Sequence, residues 1–199
     1  AASFRNPLMA VQELMGSELL AIWARTERPL LSRLVWTMAE RLLDLVEHLV
    51  AAGAGPLFAT LGQEFCGPPL MSPRDYRDFC TEPEKPLAQA IHRTGGLLHC
   101  HCHGKMRDII EMIAESGIDA LHPLEPPPMG DITLAEAKGL VGDRVCLEGN
   151  LEWGDLYSRT EQEIRDLTKQ AIDEGAPGGG FILSTSASPY APKLSRQLV

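Results

Sequence analysis

The chain has 199 residues, enough for one domain (residues 1–199) with a substantial core. With 44% hydrophobic and 23% charged residues it reads as a soluble globular protein, and a net charge of −9 argues against nucleic acid and anionic membranes as partners. No run of about 18 apolar residues suggests a membrane span, no leader is legible at the start, and five scattered cysteines fit a reducing cytoplasm better than a disulfide framework.

The elements follow from periodicity and punctuation. Pro7 to Ala24 carries an apolar helical stripe through Leu8, Val11, Leu14, Met15, Leu19 and Ile22. A second helix is expected from Ser32 to Ala52, stopped by Gly53 and Gly55. Pro56 to Leu61 is the first expected strand. Ser72-Pro73 opens a helix as cap and first residue, with Pro83 and Pro86 expected to interrupt it and Gly95-Gly96 to end it. Leu97 to His101 is the second strand, and Lys105 to Glu115 a helix. Ile118 to His122 is the third strand. Asp131 to Gly139 is helical, capped by Thr133 or Asp131. Arg144 to Leu147 is the fourth strand. Thr160-x-x-Glu163 is a capping box that opens a helix to Glu174. Gly180 to Ser184 is the fifth strand, and Ala191 to Val199 reads as a final helix.

Five successive strand–helix units imply a parallel sheet. A doubly wound sheet and a (β/α)8 barrel both satisfy the pattern. The short apolar strands suggest cover on both faces. No G-x-G-x-x-G follows a strand, so the dinucleotide fingerprint is missing.

Ligands bind at the carboxyl ends of strands in both architectures. Those ends are rich in chemistry here: Gln63 and Glu64, then His101 and His103, then His122 and Glu125. Glu148, Asn150 and Glu152 follow, then Ser184, Thr185 and Ser186. Three of the six histidines and two of the five cysteines fall within His99-Cys100-His101-Cys102-His103. On a strand, the histidines share one face and the cysteines the other. His101 and His103 then either reach one metal ion, with Glu64, Glu125 or Glu152 completing the set, or form a hydrogen-bonded pair without an ion. His99 lies deeper, as a supporting residue, and the cysteines read as packing. Glu125 sits in a stiff Pro126-Pro127-Pro128 loop that could hold a ligand or a general acid, and the Asn150 amide could position a substrate.

Four motifs in order carry a resemblance: Pro68-Pro69-Leu70-Met71-Ser72-Pro73, Gly95 through Gly104, Gly149-Asn150-Leu151, and Gly180-Phe181-Ile182-Leu183-Ser184-Thr185. Together they resemble the uroporphyrinogen decarboxylase superfamily. The resemblance implies a (β/α)8 TIM-barrel type, here an apparently partial barrel of about five βα units from its C-terminal portion. It also implies one of two chemistries: cofactor-independent decarboxylation, or zinc-dependent methyl transfer between corrinoids and thiols. The methyltransferase motif His-x-Cys-Gly falls on His101-Cys102-His103-Gly104. His101 matches the zinc-binding His, while His103 stands where that branch has Cys, and its later Cys falls at Ala187. The decarboxylase branch matches at Gly149-Asn150-Leu151, but none of the strand ends carries an arginine for a polycarboxylate. The leading expectation is a methyltransferase-like enzyme, with zinc held by His101, His103 and Glu64 or Glu125. Glu125, Asn150 and Glu64 are its catalytic candidates, a small molecule its substrate and a corrinoid protein its candidate partner. Decarboxylation of uroporphyrinogen or a related acid is the alternative. A non-catalytic binding fragment is the third reading.

Overall fold

The computed structural model describes residues 2–187. Six parallel strands form one sheet in the order of the sequence. They are β1 (Ala2–Arg5), β2 (Leu57–Leu61), β3 (Leu97–His101), β4 (Ala120–Leu124), β5 (Cys146–Leu151) and β6 (Phe181–Thr185). A doubly wound sheet reverses strand order at a switch point. This sheet never does, so its order is that of a barrel wall. It is an open arc: among the described residues β1 and β6 are its edges. Six strands replace the five expected, because the short Ala2–Arg5 segment pairs with β2.

The helices are α1 (Pro7–Met15), α2 (Ser17–Thr26), α3 (Arg28–Ala51), α4 (Pro73–Tyr76), α5 (Glu82–His92), α6 (Ile110–Glu115), α7 (Leu134–Val141), α8 (Asp155–Ser158) and α9 (Glu161–Gly175). The expected first helix is two, because Gly16 takes a left-handed φ of +82° that a continuous helix cannot accommodate. The next helix begins at Arg28, since Pro29 fits a first turn where no amide bond is needed. Pro83 and Pro86 do not interrupt their helix. Pro83 lies in the first turn of α5, directly after a π turn at Arg77–Thr81, and Pro86 omits a single amide bond. Thr133, not Asp131, caps α7. Asp131 instead accepts the backbone N–H groups of Met106 and Arg107 at 2.8 and 3.0 Å. The helix expected over 191–199 lies outside the described residues.

The expectation of cover on both faces is corrected. Side chains alternate between buried and half-buried along β2, β3 and β5. Phe58, Leu98, Leu121 and Leu147 are buried on the helix side, where they join Leu31, Val35, Phe79, Leu87 and Ile91. Burying each of these stabilises the fold by roughly 1.5–3 kcal/mol. Ala59, His99, His101, His122 and Glu148 point to the concave side. Asp75 anchors the outer layer. It closes a capping box with Ser72 and is paired by Arg28, and by Arg25 at 2.8 Å.

Two buried features govern the end of β2. Gly62 adopts a φ of +94°, and a Cβ there would lie 1.7 Å from Met9 Sδ. Gly62→Ala therefore combines backbone strain with a clash. It should destabilise the protein by about 1–3 kcal/mol, read as a lower urea midpoint; an unchanged midpoint would count against the strain.

Glu84, on α5, is fully buried. Burial pushes its carboxyl up to about 7, against the polar side chains of Thr60, Asn6, Ser116 and Gln63, which hold it down. The folded state thus binds this proton more tightly than the unfolded chain does. The resulting stability is fully present below the ordinary Glu pKa and is lost as pH rises through about 7. Relative to Glu84→Gln, the wild type should lose up to about 1.4 kcal/mol per pH unit across that window. Urea unfolding of both proteins from about pH 5 to pH 8 checks this, and a constant difference between them contradicts it.

Candidate functional site

The run from His99 to His103 lies on β3 and its C-terminal extension. Cys100 and Cys102 are buried on the helix side. His99, His101 and His103 face the concave side, as strand alternation requires. Parallel pairing sets His101 opposite His122 on β4. Their Nδ1 atoms are 3.0 Å apart, and His122 Nε2 is 3.2 Å from the carbonyl oxygen of Thr185 on β6.

These contacts fix the tautomers. A carbonyl only accepts, so His122 carries a hydrogen on Nε2, and in the neutral ring its Nδ1 is then an acceptor. His101 must then donate from Nδ1, which leaves its Nε2 with a lone pair. Burial, with His103 and His122 nearby, lowers the His101 pKa to about 4, so this ring is neutral.

His103 has the opposite environment. Its Nδ1 is 3.0 Å from Glu125 Oε1, while Glu125 Oε2 accepts the Gly104 N–H at 2.7 Å. The Glu125 bond raises the His103 pKa against partial burial, and the charges of Glu125, Glu64 and Glu152 add to it. Burial would raise Glu125 in turn, but His103 and Gly104 outweigh it and hold it low. The His101 and His103 rings meet edge to face with centroids 4.7 Å apart. A neutral imidazole therefore sits beside one biased toward its charged form.

A cavity of about 480 Å³ opens at this point. His101, His103, His122, Glu148, Ser184, Thr185, Ser186 and Ala187 line it. His99 stands deeper and bonds Glu148 at 3.1 Å. Glu64 lies on the 3-10 turn Gln63–Cys66, with its Oε2 buried and unpartnered. Gln63, at the same strand end, turns away into the core. Asn150 is not brought to the histidines. It lines a neighbouring cavity of about 150 Å³ with Glu152, Pro126 and Pro127. Of the expected residues, the structure thus joins His101, His103 and Glu125. Sequence reasoning assigned no role to His122 or Glu148; the signal for His122 was its equivalent place at the end of the next strand.

The residues present do not fit the three-donor zinc site that the resemblance implies. Ala187 lines the same cavity as His101 and His103, so a methyl group stands where a thiolate is implied. Among the described residues, no three His, Cys, Asp or Glu side chains gather as a metal-binding group.

Parallel strands in barrel order, with imidazoles and carboxylates at their carboxyl ends, define a wall of a (β/α)8-type protein with a ligand cavity. The chain belongs to the uroporphyrinogen decarboxylase (URO-D) family, whose model matches residues 3–192. A uroporphyrinogen decarboxylase from Psychromonas ingrahamii is 30% identical over 163 residues, covering 79% of this chain and 43% of that protein. The methylcobamide:CoM methyltransferase MtaA from Methanosarcina barkeri is 25% identical over 181 residues, covering 88% of this chain and 51% of that protein. A solved methyltransferase from Methanosarcina mazei shares the fold with a TM-score of 0.78 at 20% identity, over 98% of this chain and 56% of that one. The chain spans about half the length of these relatives. Among the described residues, no helix is long and apolar enough to cross a membrane.

Glu125→Gln removes the negative charge that favours the His103 imidazolium. His103 should then lose its proton at lower pH than in the wild type, read by NMR titration of the ring. An unshifted titration would show that Glu125 is not its main partner.

Proposed function

We propose that this chain supplies the proton-handling histidines of a URO-D superfamily enzyme that decarboxylates a small carboxylic acid. The observation that carries this reading is the division of labour between two adjacent rings. His103, held by Glu125, presents Nε2–H as an acid. His101, held by His122, presents Nε2 as an acceptor. Environments that push two titratable neighbours apart are how a site separates its acid from its base.

In the step, the bond from carbon to the departing carboxylate breaks and CO2 leaves. The electron pair stays on carbon and takes the proton from His103 Nε2. Solvent then reprotonates the ring. Glu125 keeps the imidazole oriented and favours its charged form beforehand, while His101 receives a hydrogen bond from the substrate. Among the described residues, the lining of this cavity offers imidazole, hydroxyl and carboxylate groups and no arginine. That favours an acid with few carboxylates over a heavily carboxylated one.

Methyl transfer is the second reading, favoured by the MtaA match over 88% of the chain. In it, His101, His103 and Glu64 would hold zinc, which would activate a thiol, and a corrinoid protein would be the partner. The methyl group of Ala187, where a thiolate donor is implied, weighs against it.

One set of assays separates the two. Purified protein is tested for CO2 release from uroporphyrinogen and from pyrrole-3-acetate, and for methyl transfer from methylcobalamin to a thiol, with zinc content measured alongside. The proposal expects CO2 release that falls by about 100-fold or more in His103→Gln. Methyl transfer with stoichiometric zinc, lost in His101→Ala, overturns it in favour of the second reading. Absence of both activities rejects the decarboxylase.

A further inference from the structure

Behind the histidines lies a buried polar chain that the proposed step does not use. Gln63, Tyr76 and Glu84 are each at most 1% exposed. The Tyr76 hydroxyl donates to Gln63 Oε1, and Gln63 Nε2 donates to Glu84 Oε2. Both ends of the Gln63 amide are thereby engaged, which fixes its orientation. The side chains of Asn6, Thr60 and Ser116 also lie against the Glu84 carboxyl and favour its charged form. A carboxyl taken fully out of water is an expensive way to fill a core.

The neighbours of Gln63 give the chain its meaning. The preceding residue, Gly62, directs its N–H to the carbonyl oxygen of His101 at 3.4 Å. The following residue is Glu64, whose buried Oε2 has no partner. The turn is therefore fastened at the back to α4 and α5 through Gln63. At the front it is fastened to the backbone of the acceptor histidine.

We propose that Glu84 is a positioning residue. Through Gln63 it holds the turn that bonds the backbone of His101 and carries Glu64 beside the histidine site. The importance of this role rests on the proposed use of His101 and His103, but its test does not depend on any activity.

The test is amide hydrogen exchange, resolved by NMR, on the full protein and three variants. Glu84→Ala should speed exchange at Gly62 and through residues 63–66 by about tenfold or more, while amides of β5 keep their wild-type rates. Glu84→Gln retains an oxygen that accepts from Gln63 Nε2, so it should restore slow exchange. Tyr76→Phe removes the hydroxyl on the other end of Gln63 with little change in volume. It should loosen the same amides, and it keeps the question open to measurement if Glu84→Ala does not fold. Three results overturn the proposal: turn exchange unaffected by the variants, a rise spread evenly over the whole sheet, or no recovery in Glu84→Gln. If the turn responds as expected while CO2 release is absent, the positioning role stands and the decarboxylase reading alone falls.

Discussion

Alternation of side chains along a parallel strand is the constraint on which the site depends. It sends Cys100 and Cys102 under the helices and turns His99, His101 and His103 to the concave face. A one-residue slip of β3 would exchange the two sets, burying imidazoles among Phe79, Leu87 and Ile91. The register with β2 and β4 prevents this. Leu98 lies opposite Phe58, and His101 opposite His122, so the apolar and polar layers of successive strands coincide.

From that placement the chemistry is decided by partners, not by residue type. His101 and His103 are chemically identical and two residues apart, yet one meets another imidazole and the other a carboxylate. The carbonyl of Thr185 sets the His122 tautomer, and His122 sets that of His101. A group on β6 thus determines which nitrogen is free on β3. Glu125 does the corresponding work for His103 while clamping the Gly104 amide.

Much of this was legible in the residues. The capping box at Thr160, the strand limits at Leu97–His101 and the two-faced reading of the histidine run depend on local rules, and local rules suffice for them. What escaped depends on contacts between distant segments. Ala2–Arg5 is too short to announce itself and is a strand only because β2 lies beside it. Pro83 and Pro86 predict breaks by their missing N–H groups, and the π turn that sets Pro83 into a first turn leaves no mark in composition. Gln63 looked like a site residue from its place at a strand end, but a hydroxyl and a carboxyl from α4 and α5 draw it inward. Asn150 and His101 both end strands, yet they open into different cavities.

The placement of the cysteines bears on how the protein meets oxidants. Four of the five are sealed in the core, where burial keeps Cys80, Cys100 and Cys102 protonated, and among the described residues none of the groups lining the histidine cavity bears a thiol. Peroxide and alkylating reagents act on accessible thiolates. Ala187 and His103 stand where the resemblance implies thiols, so at these two positions peroxide meets no sulfur to oxidise.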